Sequence, residues 1–275
     1  MINFKHINAA STDDALSALG RYGEGARVLA GGQDLLFRIK KYIVQPKCVI
    51  NLKTIPGLSD IRSKPDENLR IGALTTLSQL ARSAELQRLA GGDSRYYGSV
   101  MGGHLCLSNH PSDTAVALAA LDARVHIVSP NGRRVAPIGD FLCGHNWVGG
   151  RLQSHTLGLD EIVTEIEVPL RPTHSRYVKF ALRKSWDFAI ASVAVSAVIR
   201  DHICEDLRIV LGGVATFPYR NHEAEKLLKN REIDDASAGA AAEAALENAR
   251  PLKMNGYKVE LSKTLVRRAL LSLGD

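Results

Sequence analysis

The chain is poor in several things, and each shortage removes a class of function. It carries four cysteines in 275 residues, Cys48, Cys106, Cys143 and Cys204. They are widely spread, with no CxxC and no Cys/His pair at ligand spacing, which argues against a metal or iron–sulfur site built by this chain alone. Thiols scattered in this way read as reduced and cytoplasmic rather than as a disulfide framework. No run of five or more basic residues occurs, although the net charge is +6. Nucleic-acid binding is therefore unsupported, and a solvated surface or a basic face toward a partner or an anionic cofactor is expected. No apolar run approaches the length of a membrane span. The opening MINFKHINAA lacks the charged-then-apolar pattern of a secretory leader. No Ser-His-Asp or Cys-His arrangement shows in the local sequence, so no nucleophile or general acid–base pair is expected.

What is present is an ordinary globular composition, 45% hydrophobic and 23% charged, in a chain long enough for two packed units or one large one. The stretch that organises it is Val28 to Leu36, VLAGGQDLL. An apolar run meets Gly31 and Gly32, then a polar pair, then a helix-compatible segment. This reads as strand, tight turn, helix. Glycines let the backbone approach a ligand without a Cβ in the way. A helix starting there points free N–H groups at whatever sits at the turn, commonly a phosphate. Taken alone, the stretch fits an ordinary strand-to-helix turn better than a ligand-binding one.

Ser11 and Thr12 ahead of an acidic, then apolar, periodic segment predict a helix over 13–22. Strand 27–30, the glycine turn, a helix to about Tyr42 and strand 48–52 make a β-α-β unit with a parallel strand pair. A strand over 69–74 and a short helix capped by Thr75 or Thr76 follow. A second glycine element, Val100 to Asp113, is long and has no evident secondary structure of its own. Its paired glycines argue for close approach to something. Asp113 fits a helix cap and a ligand contact alike. Beyond it the pattern predicts helix 114–121, a hairpin around Pro130-Asn131-Gly132, and strand 162–168. Residues 169–173 read as a domain joint. Strands over 177–182, 191–200 and 207–214 predict a three-stranded antiparallel sheet, followed by helices over 224–229, 236–249 and 262–273.

The two glycine elements, together with four further motifs in order, carry a resemblance. Ala30-Gly31-Gly32-Gln33-Asp34-Leu35, Asn51-Leu52 with Pro56-Gly57-Leu58, and Ile71-Gly72-Ala73-Leu74-Thr75-Thr76 are the first three. Gly102-Gly103-His104 to Asp113, Leu157 through Pro169, and Lys179-Phe180-Ala181 with Arg183-Lys184 and Asp187-Phe188-Ala189 complete them. The chain resembles, over nearly its whole length, the flavoprotein (medium) subunit of the molybdenum hydroxylases, the carbon monoxide dehydrogenase and xanthine dehydrogenase family. His104 stands where that family usually has Asn.

The resemblance implies an α+β chain with a PCMH-type, vanillyl-alcohol-oxidase-like FAD-binding fold. Two α/β subdomains (1–55 and 56–170) would hold FAD, and a C-terminal α+β domain (171–275) with a three-stranded antiparallel sheet and helices would lie over the flavin. Leu29, Ala30, Gly31, Gly32, Gln33, Asp34 and Leu35 would wrap the diphosphate. Ser99, Val100, Met101, Gly102, Gly103 and His104 would run along the diphosphate and ribityl chain. Asp113 would bind a hydroxyl, Leu157 and Val163 would line the adenine or ring pocket, and Lys179 would approach the flavin. The implied function is electron transfer through FAD. Partners would be a large subunit with a molybdopterin cofactor, a small subunit with [2Fe–2S] clusters, and a soluble electron acceptor, with no nucleic acid and no membrane span. The alternatives are a flavin-free scaffold in the same complex and a stand-alone flavin oxidoreductase of the superfamily.

Overall fold

The computed structural model describes residues 3–63, 68–83, 101–106, 112–142, 146–148, 151–153, 155–171, 174–183 and 187–273. The chain opens with β1 (Lys5–Asn8), α1 (Thr12–Tyr22), β2 (Ala26–Leu29), α2 (Gln33–Lys40) and β3 (Cys48–Asn51). The strands form a parallel sheet in the order β1-β3-β2. Ser11 caps α1, its side chain accepting from the Asp14 amide at 3.1 Å. Ala15, Leu16, Ala18 and Leu19 of that helix pack with Cys48 and Ile50 of the sheet. The expected parallel β2–β3 pair is present. The edge strand β1 was not expected, because KHIN has one apolar residue and a mostly exposed pattern.

Next come β4 (Ile61–Arg62), β5 (Leu69–Gly72), α3 (Leu77–Arg82), α4 (Met101–Leu105), α5 (Asp113–Ala120), β6 (Arg124–Ser129), β7 (Gly132–Pro137), α6 (Ile138–Phe141), β8 (Asn146–Val148), β9 (Arg151–Gln153) and β10 (Ile162–Val168). Five of these strands form a sheet in the order β4-β5-β10-β6-β7, antiparallel throughout. The period-2 pattern of β10 explains its central place. Ile166 and Val168 enter a core with Leu69, Ile71, Val125 and Ile127. Glu165 and Glu167 are also buried, and basic side chains meet them. Arg62 and Arg70 reach Glu165 at 3.0 and 2.9 Å, and Arg70 and His126 reach Glu167 at 3.3 and 2.9 Å. Thr76 caps α3 reciprocally with Gln79.

The C-terminal part contains β11 (His174–Phe180), β12 (Ala191–Arg200), β13 (Ile203–Gly212), β14 (Tyr219–Arg220), α7 (His222–Leu228), β15 (Arg231–Glu232), α8 (Asp235–Leu246) and α9 (Tyr257–Leu271). Strands β11-β12-β13 are the expected antiparallel sheet, extended by the short β14 and β15, both on β13. Alternation gives this sheet two buried faces. Val193, Val195, Leu207, Ile209 and Leu211 pack with Leu228, Ala241, Leu265 and Val266 of the three helices. Ala194 and Val210 face the other way and meet Val116 and Ala120 of α5. Helix α5 therefore ties the C-terminal sheet to the rest of the molecule. Among the described residues no helix is long and apolar enough to cross a membrane.

Gly72, at the end of β5, lies so close to the preceding segment that a Cβ there would fall 2.3 Å from the Leu58 carbonyl oxygen. That neighbour is backbone and cannot swing away. Gly72→Ala is expected to destabilise the chain by about 1–3 kcal/mol, measured as a lowered urea midpoint. An unchanged midpoint would mean that the 58–59 segment shifts freely.

Candidate functional site

The first glycine turn leaves β2 at Leu29, whose carbonyl accepts from the Leu52 amide at 3.1 Å. Ala30 and Gly31 make the bend. Gly32 adopts φ +82° and forms the N-cap of α2. Non-glycine residues rarely tolerate that φ, and a Cβ here would sit 3.0 Å from Leu29 Cδ1. Glycine has no side chain to cap the helix, and α2 has no side-chain cap bond. The amides of Gln33, Asp34 and Leu35 occupy the first turn, where no carbonyl of the same helix is in reach. The result is a small concentration of N–H dipoles suited to an anion.

The second glycine element is not an open loop where it is described. Met101 to Leu105 form α4. The Met101 amide donates to the Thr75 carbonyl at 3.0 Å and the Gly102 amide to the Ala73 carbonyl at 2.8 Å. Those two donors are thus engaged within the chain. Gly103 is half-buried in the same turn. Ser99, Val100 and the His104 side chain lie outside the described residues. Leu74, between the two accepting carbonyls, belongs to the cluster against which Ala30 packs. One apolar cluster thus touches both glycine elements, through Ala30 and through Leu74.

Asp113 begins α5. Its neighbour Ser112 does the capping, accepting from the Ala115 amide at 3.3 Å. The cap reading of Asp113 therefore falls. Its carboxylate is not needed for the cap, and Lys179 of β11 donates to its Oδ2 at 2.6 Å. Lys179 also donates to the Asp187 carbonyl at 3.1 Å. The other oxygen, Asp113 Oδ1, is buried with no hydrogen-bond partner among the described residues. A buried carboxylate oxygen without a donor is costly, and either the neighbouring Tyr177 hydroxyl or a ligand N–H or O–H would relieve it.

Tyr177 lies two residues before Lys179 on the same strand and on the same face. Its hydroxyl too is buried and makes no hydrogen bond of good geometry among the described residues, although it lies within reach of Asp113 and Ser192. Burial first, and then the negative charge of Asp113, push its ionisation far above the ordinary range, so it stays a neutral phenol. Sequence reading passed over Tyr177, although its i, i+2 spacing from Lys179 was a signal.

Val163 is buried in the core of the second sheet, and Leu157 packs on that core half-buried. The segment carrying Leu157 is pinned by groups that sequence reading also passed over. Arg134 donates twice to Glu161, Nε to Oε1 at 2.8 Å and Nη2 to Oε2 at 2.7 Å, and Nη2 also reaches the Thr156 carbonyl at 3.1 Å. The hydrogen bond from Arg134 holds the Glu161 carboxyl below its usual range. The His155 ring stacks on Phe141 at 5.7 Å, and His155 Nδ1 faces the Leu157 amide at 3.2 Å. An amide can only donate, so Nδ1 is the acceptor and the ring is neutral.

Comparison with known proteins accounts for this arrangement. Residues 2–171 match the FAD binding domain in molybdopterin dehydrogenase, and residues 176–273 match the CO dehydrogenase flavoprotein C-terminal domain. The chain belongs to the FAD-binding medium subunits of the molybdenum hydroxylases. This medium subunit is 30% identical over 285 residues to the nicotine 6-hydroxylase medium subunit of Paenarthrobacter nicotinovorans, covering 98% of this chain and 97% of that one. It is 29% identical to the carbon monoxide dehydrogenase medium chain of Hydrogenophaga pseudoflava, covering 97% and 96%. The solved Hydrogenophaga pseudoflava carbon monoxide dehydrogenase superposes with a TM-score of 0.86 at 28% identity, covering 100% of this chain and 99% of that one. Quinoline 2-oxidoreductase of Pseudomonas putida 86 shares the fold, with a TM-score of 0.87 at 24% identity, covering 98% and 96%. The cofactor of this medium subunit is FAD, and the chain is an oxidoreductase subunit. Its residues fit that cofactor on two counts: the uncapped amides at Gly32 suit a diphosphate, and the unpartnered Asp113 Oδ1 suits a hydroxyl or ring N–H.

The His155 ring predicts an acid sensitivity. Burial lowers its ionisation below the ordinary 6.5. As pH falls below about 6.5 the unfolded chain takes up a proton that the folded ring refuses, so stability drops until the folded value is passed. His155→Phe keeps the stack on Phe141 and removes that proton. The pH slope of unfolding free energy below 6.5 is expected to flatten by up to about 1.4 kcal/mol per pH unit. Urea titrations of the two chains from pH 7 to 5 that gave parallel slopes would contradict this.

Proposed function

We propose that this chain is the electron-transfer flavoprotein of a three-subunit molybdenum hydroxylase. Bound FAD supplies the redox chemistry, accepting electrons that a large molybdenum-cofactor subunit extracts from substrate and a small [2Fe–2S] subunit relays, and passing them to a soluble acceptor. Everything else asked of this chain is binding and orientation. Leu29 to Leu35 hold the diphosphate with first-turn amides. Ser99 to His104 flank it from the second glycine element. Asp113, oriented by Lys179, accepts a hydrogen bond from a cofactor N–H or O–H. Leu157, set in place by Arg134 and Glu161, and Val163 border the ring or adenine pocket. In this reading residues 1–55 and 56–170 are the two cofactor-holding subdomains and 171–275 the covering domain, and the complex works in the cytoplasm.

The observation that carries the reading is Asp113 Oδ1, buried and unpartnered beside Lys179 where α5 meets the C-terminal sheet. Removing a charged hydrogen-bond acceptor costs roughly 1.5–3 kcal/mol, or about 10–150-fold in affinity. The wild-type full chain is expected to purify yellow with one FAD. Asp113→Ala is expected to weaken FAD binding by at least about tenfold in a flavin-fluorescence titration. A colourless wild type that takes up no added FAD would refute the proposal.

A further inference from the structure

The C-terminal domain holds a cavity of about 260 Å³. It lies between the end of β13, the end of α8 and the start of α9. Leu211, Val214, Ala245 and Val259 give it an apolar wall. Leu211 belongs to the core that faces the three helices, whereas Val210, the residue before it, packs with Tyr177 against α5. Lys179 shares the face of Tyr177. The sheet therefore separates the cavity from the Asp113–Lys179 pair, and no residue assigned above to the cofactor lines it.

Its polar groups have a definite character. Asn255 lines the cavity, and its Oδ1 is buried with no hydrogen-bond partner among the described residues. A buried amide oxygen without a donor is costly, so an occupant carrying an N–H or O–H is favoured. Two cations, Arg250 and Lys258, line the cavity, and no acid does. Lys258 Nζ donates to the Gly213 carbonyl at 3.0 Å, and an ammonium has further donors to offer. The carbonyls at the end of α8 would disfavour an anion, but they are taken within the chain. Ala244 accepts from the Glu247 amide at 3.4 Å, Ala245 from Asn221 Nδ2 at 3.0 Å and Leu246 from the Ala249 amide at 3.0 Å. The side chains thus set the sign of the site, and the sign is positive. An apolar cavity of about 150 Å³ holds benzene, so this one has room for about ten non-hydrogen atoms.

We propose that this cavity binds a small organic acid. Its compact apolar body packs on Leu211, Val214, Ala245 and Val259, its carboxylate meets Lys258 and Arg250, and a hydroxyl or N–H on the body donates to Asn255 Oδ1. The site is separate from the one for FAD and does not rest on the electron-transfer reading.

The test titrates the purified full chain calorimetrically with 4-hydroxybenzoate, a probe of that size with one carboxylate and one hydroxyl. Saturable binding with a dissociation constant of about 1 mM or below is expected. Benzoate, which lacks the hydroxyl, is expected to bind at least about twofold more weakly, and 4-hydroxybenzyl alcohol, which lacks the carboxylate, at least about tenfold more weakly. This comparison needs no variant, so it holds whether or not a substitution disturbs the fold. In the chain, Lys258→Gln keeps a donor for the Gly213 carbonyl but loses the charge, and is expected to weaken 4-hydroxybenzoate at least about tenfold. In Asn255→Leu the preference for 4-hydroxybenzoate over benzoate is expected to vanish. No saturation by about 10 mM probe, or equal affinities for the three probes, would overturn the proposal. So would a wild-type pattern in both variants, or release of FAD by the probe, which would put it in the cofactor site. A chain that purifies without FAD refutes the flavin reading, and the same titration still decides this one.

Discussion

Helix α5 is shared by two cores, and the rest of the structure depends on how it is seated. Its Ala115 and Leu118 pack into the core of the second sheet, while Val116 and Ala120 pack against Ala194 and Val210 of the C-terminal sheet. Ion pairs hold it at both ends. Asp113 meets Lys179 at 2.6 Å, and just past the other end Asp122 meets Arg208 at 3.2 Å. Asp122 adopts φ +60° there. Apolar contact supplies the attraction and the two charged contacts set the register. A slide along the helix axis would break both pairs, and separating a buried pair leaves an uncompensated charge. The seam between the FAD-binding and C-terminal domains is in this way fixed in position beside Asp113.

This explains which parts of the site were legible in the sequence. The turn from Ala30 to Gly32 showed because its structure is local: a strand, two glycines and a helix start are all written in consecutive residues. Asp113 and Lys179 showed through their motifs, but their contact did not. They are far apart in the chain and meet only because α5 lies across β11. Tyr177 and the Arg134–Glu161 pair were missed for the same reason, since nothing local distinguishes a tyrosine in a strand or an arginine in a hairpin from a solvated one. The short helix α4 was missed for another. Two glycines in MGGHL oppose helix formation, and hydrogen bonds to the Ala73 and Thr75 carbonyls override that propensity. Edge strand β1 was invisible because strand pairing, not apolar content, makes it a strand.

The covering sheet shows a similar split between local and distant causes. Its three long strands were readable from alternation, while β14 and β15, two residues each, exist only because β13 offers them an edge. The start of α9 at Tyr257 rather than Ser262 reflects a head, YKVEL, whose apolar residues alternate instead of following a helical period. Element identity came from pattern, and extent came from tertiary contact.

The pairing of Lys179 changes what the site can do electrostatically. An isolated lysine beside a flavin would act as a point charge and favour the reduced, anionic form. Here the ammonium lies 2.6 Å from a carboxylate, and at distances longer than that separation the two charges largely cancel. What survives is short-ranged and directional: one carboxylate oxygen fixed by Lys179 and the other, buried, ready to accept. Such a group accepts a hydrogen bond in one orientation with little net field around it.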